Sequence, residues 1–359
     1  MAAEGEDVEL GEMKSEVHDR LVAGDDGDAD LAEEKVSTSV GMVTVGISGD
    51  RKRAAIITFH DIGLNANSCF QSFFQFSDMV SIADRFCIYH INAPGQEEGA
   101  VAWPPEQAYP TMDELAAVVA SVVQHFKIKS FIGFGVGAGA NILCRYALKN
   151  PKCVDALILI NCALSHCSWM EWGYQKMNVN YLRNRGMTTF TLDYLMWHHF
   201  GKHLDAYAAD LVNSYKLYFS KLPHPTNLAA FIEAYVKRTP IPLSRDGSTL
   251  QCPVLQMVGA GSPHIDGSVD FSGRLDPTRS EWMKISDSSG LILEEKPDKV
   301  TEAILLFVQG LGFFPSMSHA KWVRERQSSV VMDQAPQLST AASSSPPQQE
   351  SQEQKAVLA

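Results

Sequence analysis

The sequence predicts an α/β fold with a mostly parallel sheet, and three observations support this prediction. Short apolar runs of strand length alternate with segments of helical spacing across residues 36–315. A glycine-rich turn joins one such run to a helical segment in mid-chain, and residues 163–245 interrupt the alternation with an aromatic-rich insertion. Strands that alternate with helices of about 10–15 residues indicate βαβ units, in which helices cover both faces of a parallel sheet.

The individual elements follow from hydrophobic periodicity. Residues 43–47 alternate between apolar and small or polar side chains, as a strand does, and residues 156–160 form a continuous apolar run typical of a buried strand. Residues 112–126 repeat apolar side chains every three or four positions, the spacing of one helix face. The predicted strands are Val43–Ile47, Ala55–Phe59, Arg85–Ile91, Ser130–Phe134, Ala156–Ile160 and Pro253–Val258, and the predicted helices are Met112–Phe126, Ala138–Lys149 and Pro297–Gly310.

The glycine-rich turn, Gly133–Gly139, has the position and shape of the Gly-x-Ser-x-Gly nucleophile elbow of α/β-hydrolases. Its predicted tip is Gly135, which stands where the nucleophile belongs and has no side chain. We therefore predict an α/β-hydrolase fold. It has a mostly parallel sheet of the eight-stranded type, helices on both faces, and a helical cap inserted at residues 163–245.

The other two positions of a hydrolase triad also lack acid–base chemistry. In these enzymes the acid follows a late strand and the histidine comes after it in the chain. In this chain the acid position corresponds to Ser262, and the histidine position corresponds to Leu291, just after Gly290. Loss of nucleophile, acid and base together predicts that the nucleophilic and proton-transfer roles are absent.

The loop after the third predicted strand keeps the outline of an oxyanion-binding loop. His60, Asp61 and Ile62 stand where hydrolases carry a His-Gly element. We expect backbone N–H groups of this loop and of Val136 to bind an anionic or carbonyl oxygen, with Asp266 close to the same mouth. These five residues form the predicted ligand pocket. The alternative role of His60 is structural, supporting the loop by hydrogen bonding.

Charge and composition divide the chain into three parts. The net charge is −12, and residues 1–35 hold thirteen acidic residues against three basic ones. These residues are predicted to form a disordered acidic tail. Residues 36–315 form the predicted hydrolase-like domain, and residues 316–359 form a disordered tail rich in Ser, Gln and Pro.

Several function classes are excluded by the sequence. The nearly neutral body offers no basic footprint for nucleic acid. No signal peptide opens the chain and no apolar run reaches the roughly 20 residues of a membrane span. The seven cysteines are scattered, as in reduced cytosolic proteins. The glycine motif also fits a dinucleotide fingerprint, but it lies in mid-chain and the next strand ends at Asn161 instead of an acid. No cofactor is predicted.

Two groups of residues carry potential metal ligands. The motif His198-His199-x-x-x-His203 could place two imidazoles one helical turn apart, as in zinc sites, but no third ligand is evident in the sequence. Cys162 and Cys167 lack the Cys-x-x-Cys spacing of zinc sites. No metal site is predicted from either group.

Several motifs resemble the N-myc downstream-regulated (NDRG) family. They are Phe59–Asn65 (Phe-His-Asp-Ile-Gly-Leu-Asn), Ala93–Ala100, Gly133–Ala140 and Leu275–Thr278, in order along residues 36–315. The resemblance implies an α/β-hydrolase fold without hydrolase activity. It also implies a mainly cytoplasmic protein acting in signalling, stress response, growth control or membrane trafficking through protein partners.

The resemblance further implies regulation through the C-terminal tail. Family members are phosphorylated there by basophilic Ser/Thr kinases, and Arg324-Glu325-Arg326-Gln327-Ser328-Ser329 fits the Arg-x-Arg-x-x-Ser pattern of such kinases. Ser329 is the predicted phosphorylation site. One departure from the family is Ala260, where members often carry an acidic residue.

The predicted function is that of a non-catalytic, cytoplasmic adaptor in signalling, stress response or trafficking. Two alternatives stay open: a sensor that binds a small molecule under the cap, and a hydrolase with a non-standard active site. The intact turn and oxyanion-type loop favour these alternatives, whereas the joint loss at Gly135, Ser262 and Leu291 favours the adaptor.

Overall fold

The computed structural model of the chain describes residues 32–165, 169–245 and 247–314, with the side chains of residues 169–171 left aside. The chain divides into two compact units, Met1–Pro315 and Ser316–Ala359, and the described residues all belong to the first. Within them, no helix has the length and apolar character needed to cross a membrane. Ser329 and the rest of the predicted C-terminal tail lie outside the described residues.

The described strands form a single mostly parallel sheet. They are β1 (Ala32–Thr38), β2 (Gly41–Ser48), β3 (Ala54–Phe59), β4 (Phe86–Ile91), β5 (Phe131–Val136), β6 (Val154–Ile160), β7 (Val254–Gly259) and β8 (Ser280–Ile285). Their order across the eight-stranded sheet is β1-β2-β4-β3-β5-β6-β7-β8. The pairs β1–β2 and β2–β4 are antiparallel and the other neighbouring pairs are parallel. The predicted fold class is confirmed.

The centre of the sheet is apolar because both of its faces are covered. Every residue of β4, β5 and β7 is buried, whereas most of the edge strand β8 is exposed or half-buried. In the register of the sheet, Phe59 at the end of β3 lies beside Ile91 of β4 and Gly135 of β5. The loops that leave β3, β4 and β5 therefore start next to one another, and they position the site.

The sheet begins before the predicted domain boundary at residue 36. Strand β1 starts at Ala32 and pairs with β2 as far as Thr38 opposite Gly41. Acidic residues fit there because β1 is an edge strand, and the carboxylate of Glu34 accepts from Arg51 and contacts His125. Part of the charge assigned to a tail thus belongs to an edge strand, where charged side chains discourage pairing with other chains.

Helices follow most of the strands. They are α1 (Ala66–Gln75), α2 (Ser77–Ala83), α3 (Met112–His125), α4 (Ala138–Lys149), α5 (Trp169–Arg185), α6 (Thr189–Phe200), α7 (Ala209–Ser220), α8 (Pro225–Val236), α9 (Ile265–Arg274), α10 (Ile292–Glu295) and α11 (Pro297–Gly310). The start of α3 is fixed by a capping box, in which Thr111 Oγ1 accepts from the Glu114 N–H and the Glu114 carboxylate accepts from the Thr111 N–H.

The helices α5 to α8 form the cap inserted between β6 and β7. Large aromatic side chains such as Tyr194, Tyr215 and Phe219 are buried in it, as expected for an ordinary cap core. The C-terminal end of α6 carries His198 and His199, both buried. This end of the cap reaches the loop after β3.

Candidate functional site

The sharp turn between β5 and α4 is centred on Gly137. Its φ of 53° and ψ of −111° lie outside the conformations that residues with side chains readily adopt. Gly135 instead lies inside β5, paired with Phe59 and Leu159. The tip of the elbow is therefore two residues later than the predicted tip, Gly135, because the five-residue pattern fits twice within Gly133–Gly139. Glycine stands at the tip in either register.

The space in front of Gly137 is filled by the side chain of Asp61. A Cβ atom placed on Gly137 would overlap the Asp61 carboxyl group. The side chain of an elbow nucleophile begins at this point. A carboxylate from the loop after β3 thus lies where the nucleophile of a hydrolase would lie.

The same carboxylate uses the two N–H groups that form an oxyanion hole in this fold. Asp61 Oδ1 accepts from the Ile62 N–H at 2.7 Å and from the Ala138 N–H at 2.9 Å. Hydrolases of this fold use the N–H after the nucleophile and one from the loop after β3. The predicted donor is the Val136 N–H, but the donor in the structure is the Ala138 N–H. Ala138 is the residue that follows the tip, because the tip is Gly137.

The other oxygen of Asp61 is bonded to the cap. His198 Nε2 lies 2.9 Å from Asp61 Oδ2, and the neighbouring His199 Nε2 donates to the Ile62 carbonyl oxygen at 2.9 Å. His264 donates from Nε2 to the His198 carbonyl oxygen at 3.1 Å. Three imidazoles and one carboxylate therefore meet between the cap and the core.

The electrostatics of Asp61 follow from these contacts. Burial alone would raise the pKa of the Asp61 carboxyl, but the His198 imidazole and the Ala138 N–H outweigh it and hold that pKa well below its usual range. Burial lowers the pKa of His199 to about 4 and that of His264 to about 3. Asp61 is therefore an ionised carboxylate at neutral pH, and the neighbouring rings of His199 and His264 are neutral.

His60 supports the loop that carries Asp61. Its Nδ1 donates to the Asp61 carbonyl oxygen at 2.8 Å, and its Nε2 accepts from the Ala93 N–H at 2.9 Å. Burial lowers the pKa of His60 to about 4, so the ring is neutral. With both ring nitrogens in use and no exposed surface, His60 fixes the backbone and does not face a ligand.

The loops that carry Ser262 and Leu291 are joined by one amide side chain. Ser262 Oγ donates to Asn161 Oδ1 at 3.0 Å, and Asn161 Nδ2 donates to the Gly290 carbonyl oxygen at 2.8 Å. Leu291 is buried just after this bond and precedes α10. Asp266 lies in the first turn of α9 and is exposed, so it is not part of the buried cluster.

The comparisons with known proteins agree with the fold and the motifs. A family model described as "Ndr family" matches residues 33–315. The chain belongs to the Ndr family. It is 38% identical to the protein NDRG3 of Xenopus laevis over 331 residues, which cover 89% of this chain and 86% of that protein. It is 37% identical to the protein NDRG2 of Xenopus tropicalis over 301 residues, or 83% of this chain and 82% of that protein.

Solved structures similar to this Ndr-family chain are α/β-hydrolases of low sequence identity. An esterase from Thermogutta terrifontis has a TM-score of 0.65 and 17% identity, covering 78% of this chain and 99% of that one. A hydrolase from Pseudomonas aeruginosa has a TM-score of 0.63 and 16% identity, covering 80% and 99%. At these identities the likeness concerns the fold alone.

The described residues of the Ndr-family chain line two pockets. One, of about 270 Å³, is lined by α1, the loop after β4 and the end of α7, and includes Gln71, Gln96 and Lys221. The other, of about 1110 Å³, lies along residues 102–113 and the cap helices. None of the predicted pocket residues His60, Asp61, Ile62, Val136 and Asp266 lines either one.

Proposed function

We propose that this Ndr-family chain is a non-catalytic α/β-hydrolase-like protein that acts as an adaptor through protein partners. One observation carries the proposal: the Asp61 carboxylate fills both the place of the nucleophile and the oxyanion hole. A substrate carbonyl cannot reach the Ile62 and Ala138 N–H groups while an anion of the chain already accepts both bonds. Such donors contribute about 3–4 kcal/mol to transition-state stabilisation in hydrolases that use them.

The assignment of Ser262 and Leu291 to the acid and histidine positions supports the same proposal. Neither side chain can act as an acid or a base near neutral pH. The hydroxyl of Ser262 is also engaged with Asn161, which ties two loops together. These loops then have a structural role, and the protein acts through the partners that its surface binds.

The cellular side of the proposal rests on family membership. We place the protein in the cytoplasm, in signalling, stress-response or trafficking complexes, with a basophilic kinase acting on Ser329 in its tail. Phosphopeptide mapping of Ser329 under growth-factor and stress stimulation tests the regulatory part, and a serine that stays unmodified under both conditions contradicts it.

The non-catalytic part is tested with the purified full chain on a panel of acyl and phosphate esters. Asp61→Asn and His198→Gln variants serve as controls, since these residues meet in the buried cluster. We expect no turnover above buffer for any of the three proteins. Turnover that follows the protein through purification and is lost in either variant would overturn the proposal in favour of a non-standard hydrolase.

A small-molecule sensor is the second candidate, and the pocket of about 270 Å³ favours it. Its volume suits a small molecule, and amide and ammonium groups from Gln71, Gln96 and Lys221 would recognise a polar one. A thermal-shift screen of small polar compounds tests it, because a ligand of the native state raises the melting temperature by mass action. A stabilising compound whose effect disappears in Gln71→Leu supports the sensor.

A further inference from the structure

The buried cluster around Asp61 has the composition of a transition-metal site. Asp61 comes from the loop after β3, and His198 and His199 come from the end of α6 in the cap. One potential ligand atom from each residue lies within 4.8 Å of the other two. All three side chains are almost completely buried, with exposures of 1%, 2% and 3%.

The spacing of one ligand pair is close to that in a coordinated site, and a ring nitrogen of His199 lies within 4.8 Å of both other ligand atoms. In a tetrahedral zinc site, bonds of about 2.0–2.1 Å place neighbouring ligand atoms roughly 3.3 Å apart. His198 Nε2 and Asp61 Oδ2 are 2.9 Å apart, so this pair has to separate by only a few tenths of an ångström. Two imidazole nitrogens and one carboxylate oxygen form a set that Zn²⁺ and similar divalent ions bind well.

Neighbouring groups hold the ligands in a suitable orientation. Asp61 Oδ1 already accepts from the Ile62 and Ala138 N–H groups, which leaves Oδ2 directed at the histidines. The hydroxyl of Tyr194 lies 3.5 Å from His198 Nδ1. A partner at the far ring nitrogen is the usual second layer of a metal-bound histidine, because it fixes the ring and its tautomer.

We propose that Asp61, His198 and His199 form a binding site for Zn²⁺ or a divalent ion of the same ligand preference. The ion takes the place of the proton between His198 Nε2 and Asp61 Oδ2. Both rings coordinate as neutral imidazoles through Nε2 and carry their proton on Nδ1, and His199 gives up its bond to the Ile62 carbonyl oxygen. Three protein ligands leave one tetrahedral position for water.

The site joins the cap to the core. Asp61 and His198 are separated by 137 positions in the chain, so an ion between them links two distant segments. Since the ligands are buried, the ion stabilises the closed cap and does not meet a substrate. This role goes beyond the adaptor proposal and does not depend on it, because the site forms within the fold itself.

Metal binding is measured on the full chain, purified without a histidine tag and stripped with a chelator. Zn²⁺ and Co²⁺ are the probes, with equilibrium dialysis and elemental analysis for stoichiometry and the visible spectrum of Co²⁺ for the ligand set. His199→Gln is the test variant, because glutamine keeps a donor for the Ile62 carbonyl oxygen but ligates zinc poorly. His203→Ala is the matched control, since His203 is exposed on the segment after the same helix.

We expect one equivalent of metal per wild-type chain, a Co²⁺ spectrum of nitrogen and oxygen ligands, and a rise in melting temperature on adding Zn²⁺. Affinity should fall at least about tenfold in His199→Gln and stay unchanged in His203→Ala. If His199→Gln does not fold, judged by circular dichroism, His198→Gln replaces it. The proposal fails if wild type binds less than stoichiometric metal, if affinity survives in the test variant, or if the Co²⁺ spectrum shows thiolate ligation.

Discussion

The Asp61 carboxyl group occupies the space into which a side chain at Gly137 would project. The two residues lie on different loops, one after β3 and one after β5, which start side by side in the sheet. The Asp61 carboxylate also accepts from the Ile62 and Ala138 N–H groups. A serine introduced at Gly137 would therefore meet a space that is already occupied.

We predict that His198 fastens the cap to the core. Replacing His198 with Ala removes the bond to Asp61 and leaves a buried carboxylate with one partner fewer, which costs about 2–4 kcal/mol of stability. The loss should concentrate in the cap, so amide hydrogen exchange should speed up in α6 and the loop after β3 more than in β5 and β6. The exposed His203→Ala serves as control. Equal acceleration in the sheet would contradict the local role.

The Asn161 bridge makes a second prediction. Asn161→Ala leaves Ser262 Oγ and the Gly290 carbonyl oxygen without their partner, and we expect a loss of about 1–3 kcal/mol in urea unfolding. Ser262→Ala removes one of these two bonds and also the bond that Ser262 Oγ accepts from the His264 N–H, but it leaves the Asn161–Gly290 bond in place. Asn161 also has a φ of 53°, so Asn161→Gly separates the side-chain loss from backbone strain. A stability equal to wild type in Asn161→Ala would show that the bridge contributes nothing.

Acid sensitivity should follow from buried neutral histidines. Burial lowers the pKa of His90, in β4, to about 4 from an ordinary value near 6.5. Between pH 4 and pH 6.5, His90 is therefore protonated in the unfolded chain but neutral in the native chain. Stability is fully present above pH 6.5 and falls as the pH drops towards 4, by up to about 1.4 kcal/mol per pH unit for each such group.

The measurement is the unfolding free energy from pH 7.5 to 4.5, for wild type and His90→Gln. Glutamine does not titrate and offers Thr58 Oγ1 a polar partner in place of His90 Nδ1. The curve of the variant should be shallower than that of wild type but not flat, because His60, His199 and His264 also have lowered pKa values. Parallel curves would show that His90 is not a source of the acid sensitivity.

The sequence is sufficient to predict the class of fold and insufficient to predict the site. Short buried strands such as Ala156–Ile160 and the helix Ala138–Lys149 carry strong local periodicity, and the structure agrees closely with both. Strand β1 is not predicted because its acidic residues face outwards at an edge, where composition does not distinguish strand from tail. Strand β8 is not predicted for a related reason, since its residues are mostly exposed or half-buried.

The site escapes prediction because it depends on contacts between distant segments. Local spacing allows two registers for the elbow, and only the φ of Gly137 distinguishes them. His198 and His199 have no third ligand near them in the sequence, whereas the fold supplies Asp61 from 137 positions earlier. The predicted ligand pocket includes Asp61 and Ile62, but the sequence does not reveal that Asp61 itself accepts from the oxyanion donors.

A double-mutant cycle between Gly137→Ala and Asp61→Gly tests most directly whether Asp61 fills the place of the nucleophile. The free energy of unfolding is measured in urea in the presence of chelator. Alanine at Gly137 suffers backbone strain in either background, about 1–2 kcal/mol, but overlaps the carboxyl group only when Asp61 is present. We predict that Gly137→Ala costs about 1–3 kcal/mol more in wild type than in Asp61→Gly. Asp61→Asn keeps the side-chain volume at position 61, so the extra cost of Gly137→Ala should remain in that background. An equal cost in all three backgrounds would contradict the claim that Asp61 fills the place of the nucleophile.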